Sequence, residues 1–331
     1  MEKKLIIVDI VSKGEKNTRY LVTDGSEFHS FLGKSGVFNI GDYITKNEIQ
    51  LLDAKERWIS SYESKNNYPR KAMIEHLINY KENKLHNNNK GHYKNNLYAH
   101  IFKTPEDNLI LGKGFDSELL QQISKLREKG VLRSDFNHLT SSQAFAINFF
   151  TPLVIERKLS LLHECFTNTD YNKCEYENVI DTKELTQFDF FAYGRNGYPS
   201  CSIEVKYSEN EFGATFADPR HIDKYRSVYD KQMKELTSID ESQYSFFEYY
   251  QIWRNLLYAV ERNQHICFLF PAFRKDLKLA VEHITEKCKD RYKPLFHTLI
   301  ADIIVDKIIT SEDKLRPYYE EFREKYLAIK I

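Results

Sequence analysis

The sequence predicts an α/β protein: a mixed β-sheet flanked by helices, preceded by a small β-rich subdomain. Three observations carry that expectation. Residues 139–275 read as helix, three strands, helix and strand, the order of a sheet with helices on its faces. Residues 1–58 hold short β-like runs set between glycines. The 331 residues are 41% apolar with only 12 Gly and 8 Pro, enough for one large domain or a main domain with a smaller one attached.

In the N-terminal part, Leu5-Ile6-Ile7-Val8, Tyr20-Leu21-Val22 and Tyr43-Ile44 are the β-like runs, punctuated by Gly14, Gly25, Gly33, Gly36 and Gly41. They describe either a β-rich subdomain, with an oligonucleotide-binding barrel as one form, or an extension packed on the main domain. Residues 59–138 form a helical connecting region, with helices expected over 68–84 and 116–129, the second stopped by Gly130. Between Arg70 and Lys94 stand six Lys/Arg and two acids. That is a solvated helix face with its loop, or a set of phosphate contacts.

The main domain is expected over 139–331. Thr140-Ser141-Ser142 caps the apolar run Ala144 to Phe150, which reads as a buried helix that Pro152 kinks or interrupts. Strands follow at 174–180, 187–191 and 201–207, the last two joined by the turn Tyr193-Gly194-Arg195-Asn196-Gly197. Helices are expected over 244–261, 280–287, 292–300 and 313–331, a buried strand over 265–270, and a strand or helix start at 302–305.

Composition excludes several classes. The formal charge of +0, from 48 basic and 48 acidic residues, gives no global nucleic-acid signal, so any such role rests on local charge. The five cysteines are odd in number, and no pair has zinc-site spacing, which fits a reducing compartment. The start MEKKLIIVDI is broken by Asp9 and reads as a strand rather than a signal peptide; no window suits a membrane span, so the expected location is cytoplasmic. There is no Gly-rich loop ending in Gly-Lys-Ser/Thr and no Gly-x-Ser-x-Gly elbow. His86 and His92 sit in a polar loop as solvated residues, and His163 reads as an ordinary helix or helix-end residue.

The chemistry concentrates on two strands. In Gln187-Phe188-Asp189-Phe190-Phe191 the phenylalanines flanking Asp189 point one way and Asp189 the other. On the next strand Ser202, Glu204 and Lys206 share a face. A hairpin brings Asp189 and Glu204 together, and two carboxylates in an apolar sheet are costly without a positive partner. A hard divalent cation such as Mg²⁺ supplies one, with Lys206 placed to orient a water. Upstream, Glu175 and Glu177 share a face of the preceding strand as further metal candidates or as surface ion pairs; Glu156, at the end of the apolar helix, is another. Downstream, Gln251, Arg254, Asn255 and Tyr258 line one helix face, either wet or turned to the site, with Arg254 on a phosphate and Gln251 on the lysine or water. Arg220, His221, Lys224 and Arg226 are further candidates for nucleic-acid contact.

These residues resemble the PD-(D/E)XK nuclease superfamily, and within it the restriction endonucleases called the PGN_0703 family. The resemblance covers roughly 139–275. It lies in Ser142-Gln143-Ala144-Phe145 with Asn148-Phe149-Phe150 and Pro152-Leu153, in Glu175-Tyr176, in Phe188-Asp189 with Ile203-Glu204-Val205-Lys206-Tyr207-Ser208-Glu209, and in Gln251 with Arg254-Asn255. The superfamily's proline before the aspartate is replaced by Phe188, and the first 58 residues match nothing in the family. The resemblance implies a restriction-endonuclease-like fold and Mg²⁺-dependent (or Mn²⁺-dependent) hydrolysis of double-stranded DNA in restriction or phage defence. It further implies Asp189, Glu204, Lys206 and Gln251 as catalytic residues and Asp189, Glu204 and Glu175 as metal ligands. A homodimer and a cognate methyltransferase or other defence partner are its expected company. Repair or mobile-element nucleases, and an inactive binding protein of the same fold, are the alternatives.

Overall fold

The computed structural model describes residues 4–13, 17–23, 28–45, 70–181, 186–209, 212–213, 219–238, 246–247 and 249–329. Two compact units alternate along the chain. One draws on Met1–Tyr68, Asn210–Glu261 and Asp276–Lys293, the other on Pro69–Glu209, Arg262–Lys275 and Pro294–Ile331.

In the first unit, β1 (Lys4–Lys13), β2 (Asn17–Thr23), β3 (Phe28–Lys34) and β4 (Tyr43–Thr45) form an antiparallel sheet in the order β3-β2-β1-β4. Leu5, Ile7, Tyr20, Val22, Phe31 and Ile44 alternate inward to make its core, and Tyr20 stacks on Phe31 at 5.4 Å. The β-rich N-terminal part is therefore present. β3 was not expected, because His29 and Ser30 interrupt its apolar run. The unit also holds the helix Tyr250–Arg262, whose expected start at 244 falls partly on residues outside the described ones.

The second unit carries the helix α1 (Arg70–Asn79), continued by a wider π-type turn over Tyr80–Lys84, the hairpin β5 (Gly91–Tyr93) and β6 (Asn96–Tyr98), then α2 (Asp116–Glu128) and α3 (Ser142–Ile155). Next come β7 (Thr169–Asp181), β8 (Thr186–Gly194), β9 (Cys201–Val205), β10 (His265–Phe270) and β11 (Phe296–Ile300), and finally α4 (Ala301–Ser311) and α5 (Arg316–Tyr326). The five strands form one mixed sheet ordered β11-β10-β9-β8-β7: the β7–β8 and β8–β9 pairs are antiparallel, and the β9–β10 and β10–β11 pairs parallel. With helices beside it, this is the mixed sheet expected of a restriction-endonuclease-like fold.

α3 is the helix on which the sheet rests. Twelve of its residues, Ser142 to Leu153, are buried, and Phe150 stacks on Phe190 of β8 at 4.3 Å. Ser141 caps it, its hydroxyl accepting from the Ala144 N–H at 3.4 Å. Pro152 does not interrupt it, and the helix continues through Leu153-Val154-Ile155 as expected. Proline cannot donate to the Asn148 carbonyl four residues back, but the Tyr318 hydroxyl of α5 does so at 3.0 Å, replacing the missing partner.

The segment expected as a helix over 292–300 is instead the edge strand β11. Phe296–Ile300 pairs residue for residue with Ile266 to Phe270 of β10, and this long-range ladder overrides a local pattern that is ambiguous in so short an apolar run. The stretch at 302–305 is the start of α4. Among the described residues, no helix is long and apolar enough to cross a membrane.

Candidate active site

The register of the sheet assembles the site. β7 and β8 pair Tyr176 with Phe190 and Asn178 with Phe188, which sets Glu177 opposite Asp189. β8 and β9 pair Phe190 with Ile203 and Phe191 with Ser202, which carries the register on to Asp189 opposite Glu204. Three carboxylates thus form a row across adjacent strands. The turn that fixes this register has Asn196 and Gly197 at φ 53° and 81°, the left-handed pair that a tight hairpin of this hand requires. Gly194 is required for another reason: a Cβ there would lie 1.9 Å from the Tyr198 carbonyl oxygen.

Asp189 is 6% and Glu204 4% exposed. The Asp189 Oδ2 accepts the Val205 N–H at 2.7 Å, so a side chain replaces a backbone carbonyl where β8 and β9 part. Lys206 follows β9, its N–H bonded to the Leu269 carbonyl at 2.9 Å and its Nζ 2.9 Å from the Glu204 Oε1. Asp189, Glu204 and Lys206 are therefore brought together.

Arg133, which the sequence did not single out, and several residues of the sequence motifs complete the cluster. Arg133, in the loop before α3, places its Nε 3.4 Å from Glu177 and its Nη2 3.5 Å from Asp189. Gln143 of α3 accepts the Arg133 N–H at 3.0 Å and donates to Glu177 at 2.6 Å, while Gln187 donates to the other Glu177 oxygen at 2.7 Å. Glu209 accepts from the Ser142 hydroxyl and from the N–H groups of Tyr207 and Ser208 at 2.9 and 3.1 Å. Glu177 itself sits at φ 49°, a strained conformation for a non-glycine residue. No local signal marks Arg133, which lies 56 residues before Asp189 and meets it only through the fold.

Charge is the defining property of this site. Burial, then the charges of Glu204 and Glu177, push the Asp189 carboxyl well above its usual range, and Arg133 and Lys206 do not cancel them. Burial likewise raises Glu177 against the pull of Arg133. Burial opposes the charge of Lys206, but Glu204, Glu209 and Asp189 outweigh it and hold the ammonium protonated. Glu209 is lowered despite its burial, by Lys206 and by the hydrogen bonds it accepts. Asp189, Glu177, Glu204 and Glu209 are four carboxylates gathered about Arg133 and Lys206. The carboxylates offer oxygen donors, the kind that suits a hard divalent cation.

Glu175 and Glu156, the other candidates of this unit, are paired with lysines. Glu175 is half exposed and pairs with Lys129 at 3.7 Å; it is not among the groups acting on Asp189, whereas its neighbour Glu177 is. Glu156 pairs with Lys314 at 2.7 Å. Gln251, Arg254 and Asn255 belong to the helix Tyr250–Arg262 of the first unit. There the Gln251 N–H bonds to the Gly213 carbonyl, Arg254 lies over the Tyr250 ring at 5.1 Å, and Asn255 is buried with no partner for its Nδ2. The helix Pro219–Lys224 carries Arg220, His221 and Lys224; the Arg220 side chain is outside the described residues. In the basic stretch, His86 and His92 are exposed, while Lys81 is buried and donates to the carbonyls of Ala99 and Ile101 at 2.9 and 2.8 Å.

The sequence model of a family described as "Restriction Endonuclease associating with ARP" matches residues 75–327. The chain belongs to this family. The match encloses Arg133, Gln143 and every carboxylate of the cluster, and begins after β4. The restriction-endonuclease character expected from the motifs holds at this level. No curated protein and no solved structure matches the chain.

Proposed function

We propose that this chain is a PD-(D/E)XK-type, Mg²⁺-dependent endonuclease that hydrolyses phosphodiester bonds of double-stranded DNA in restriction or phage defence. The observation that carries the reading is the buried row Glu177, Asp189 and Glu204 with Lys206 at its end, in a member of a restriction-endonuclease family. The donor set fits the metal: carboxylate oxygens, with an Asp189 carboxyl raised by burial and by the charges of Glu204 and Glu177. Asp189 and Glu204 would hold the ion, with Glu177 beside them; Glu175, the ligand expected from sequence, stands one position further out and paired with Lys129. When bound, the ion supplies Lewis acidity toward a phosphate oxygen and acidifies water.

The remaining steps belong to the chain. Lys206, its Nζ 2.9 Å from Glu204, orients or activates the attacking water and offsets charge on the developing phosphorane. Arg133, half exposed at the lip of the cluster, can leave its carboxylates for a phosphate once a cation relieves them. Gln251 is assigned a catalytic role, and Arg254, Arg220 and Lys224 contact with DNA phosphates; buried Asn255 does not suit direct contact. In this reading 139–331 is the nuclease domain, 59–138 connects to it and contributes Arg133, and 1–58 is a β-rich extension with a binding role. A homodimer would allow both strands to be cut, and a methyltransferase or other defence protein would be the natural partner.

The test is cleavage of unmodified phage DNA by the purified chain with Mg²⁺, beside Lys206→Ala and a chelator control. Discrete fragments lost in both controls support the reading. A folded wild type that cuts no DNA under any divalent metal sinks it.

A further inference from the structure

A second group of metal-binding side chains lies at the other end of the same sheet. The Glu204 row stands near the C-terminal end of β9, whereas this group gathers where β9, β10 and β11 begin. The register pairs His265 with Cys201 and Cys267 with both Ile203 and His297, so Cys201, His265, Cys267 and His297 share one face. Glu204 pairs with Phe268 and lies on the opposite face. Phe190, which pairs with Ile203, also belongs to the first face, and α3 packs on it there. The turn after α3 brings His163 and Cys165 to the group. One donor atom each from His163, Cys165 and His297 fall within 4.8 Å of one another, and Cys267 Sγ is 4.0 Å from Cys165 Sγ.

The separation of the two sulfurs suits one chemistry. Two thiolates on a tetrahedral zinc ion, with Zn–S of about 2.3 Å, stand about 3.8 Å apart. The group already has what orients ligands in such sites. His297 Nε2 is hydrogen-bonded to His265 Nδ1 at 3.0 Å, and the Cys201 thiol donates to the Cys165 carbonyl at 2.9 Å. His163 Nδ1 accepts the Cys165 N–H at 3.2 Å, and zinc bound at that nitrogen would take the same lone pair and displace this hydrogen bond. Thiolate and imidazole donors select zinc over Mg²⁺, so the two ends of the sheet differ in the ions they take.

We propose that His163, Cys165, Cys267 and His297 bind one zinc ion that ties the turn after α3 to the start of the parallel strands. His265 and Cys201 act as positioning residues. Binding releases the thiol protons of both cysteines and changes no oxidation state. The inference is independent of the nuclease reading.

The full chain, purified under reducing conditions, is exposed to zinc, desalted and assayed for metal. We expect about one zinc per chain, as for a closed structural site. Cys165→Ser and His297→Ala should bring this near zero, while Asp189→Asn should leave it unchanged. Because the variants could misfold, the wild type is also loaded with Co²⁺, whose spectrum should show a thiolate-to-cobalt charge-transfer band. Three results would overturn the proposal: wild type that keeps no zinc, cobalt spectra without the thiolate band, or zinc retained in folded Cys165→Ser.

Discussion

Replacing Asp189 by Asn should stabilise the metal-free protein while removing its response to Mg²⁺. Glu177 and Glu204 are cross-strand neighbours of Asp189, at a Cβ spacing of about 5 Å, so each repels its charge by roughly 3 kcal/mol at an effective dielectric of about 20. Arg133, 3.5 Å away, and Lys206 offset only part of this, and burial adds the largest cost. The amide removes that cost yet keeps an oxygen for the Val205 N–H. A gain of about 1–3 kcal/mol is expected, each kcal/mol raising the melting temperature by about 2–4 °C. The folded Asp189 pKa lies above its unfolded value, so the charged form weakens the fold as pH rises through that window. The advantage of Asn should therefore shrink as pH falls and Asp189 takes up its proton in both states. Thermal melts of both proteins, with and without Mg²⁺ and at several pH values, measure all of this. The reasoning fails if the Asn variant is the less stable apo protein, or if Mg²⁺ raises both melting points equally.

Three further outcomes follow from the same geometry. Arg133→Ala leaves Glu177 and Asp189 without their shared cation, so the apo protein should lose about 1–3 kcal/mol and gain more melting temperature from Mg²⁺ than wild type does. Gly194→Ala drives a Cβ into the Tyr198 and Pro199 carbonyls and should cost about 2–4 kcal/mol, read by denaturant unfolding, with loss of the hairpin that aligns Asp189 and Glu204. Lys325 is buried against Asn108 and its pKa is pushed down to about 7 by desolvation. Its buried charge penalises the folded state at low pH, so stability should rise above pH 7 by at most about 1.4 kcal/mol per pH unit. Lys325→Met should flatten that slope.

The parts of this molecule legible in the sequence were those governed by short-range pattern. Alternation placed Asp189 and Glu204 on their faces, the Asn-Gly turn announced the hairpin, and the continuous apolar run marked α3 as buried. What escaped was set by contacts distant in the chain. β11 is a strand because β10 lies beside it. Pro152 is tolerated because Tyr318, 166 residues later, supplies the hydrogen bond it lacks. Arg133 and Gln143 reach the acids only once α3 packs on the sheet. Glu177 and Glu175 look equivalent two residues apart, and only the register makes Glu177 the neighbour of Asp189. The same holds for His163, Cys165 and His297, whose spacing along the chain carries no hint of their meeting.

The alternation of the two units along the chain bears on synthesis. The sheet that bears Asp189 and Glu204 acquires β10 at residue 265 and β11 at residue 296. The α5 hydroxyls that bond the carbonyls of Asn148 and Phe149 come later still, at Tyr318 and Tyr319. A ribosome that has delivered every acid of the row has therefore not yet delivered the groups that hold α3 and the far edge in place. A chain that stops after Glu204 but before Tyr318 carries every acid of the row without the hydroxyls that bond to the carbonyls of α3.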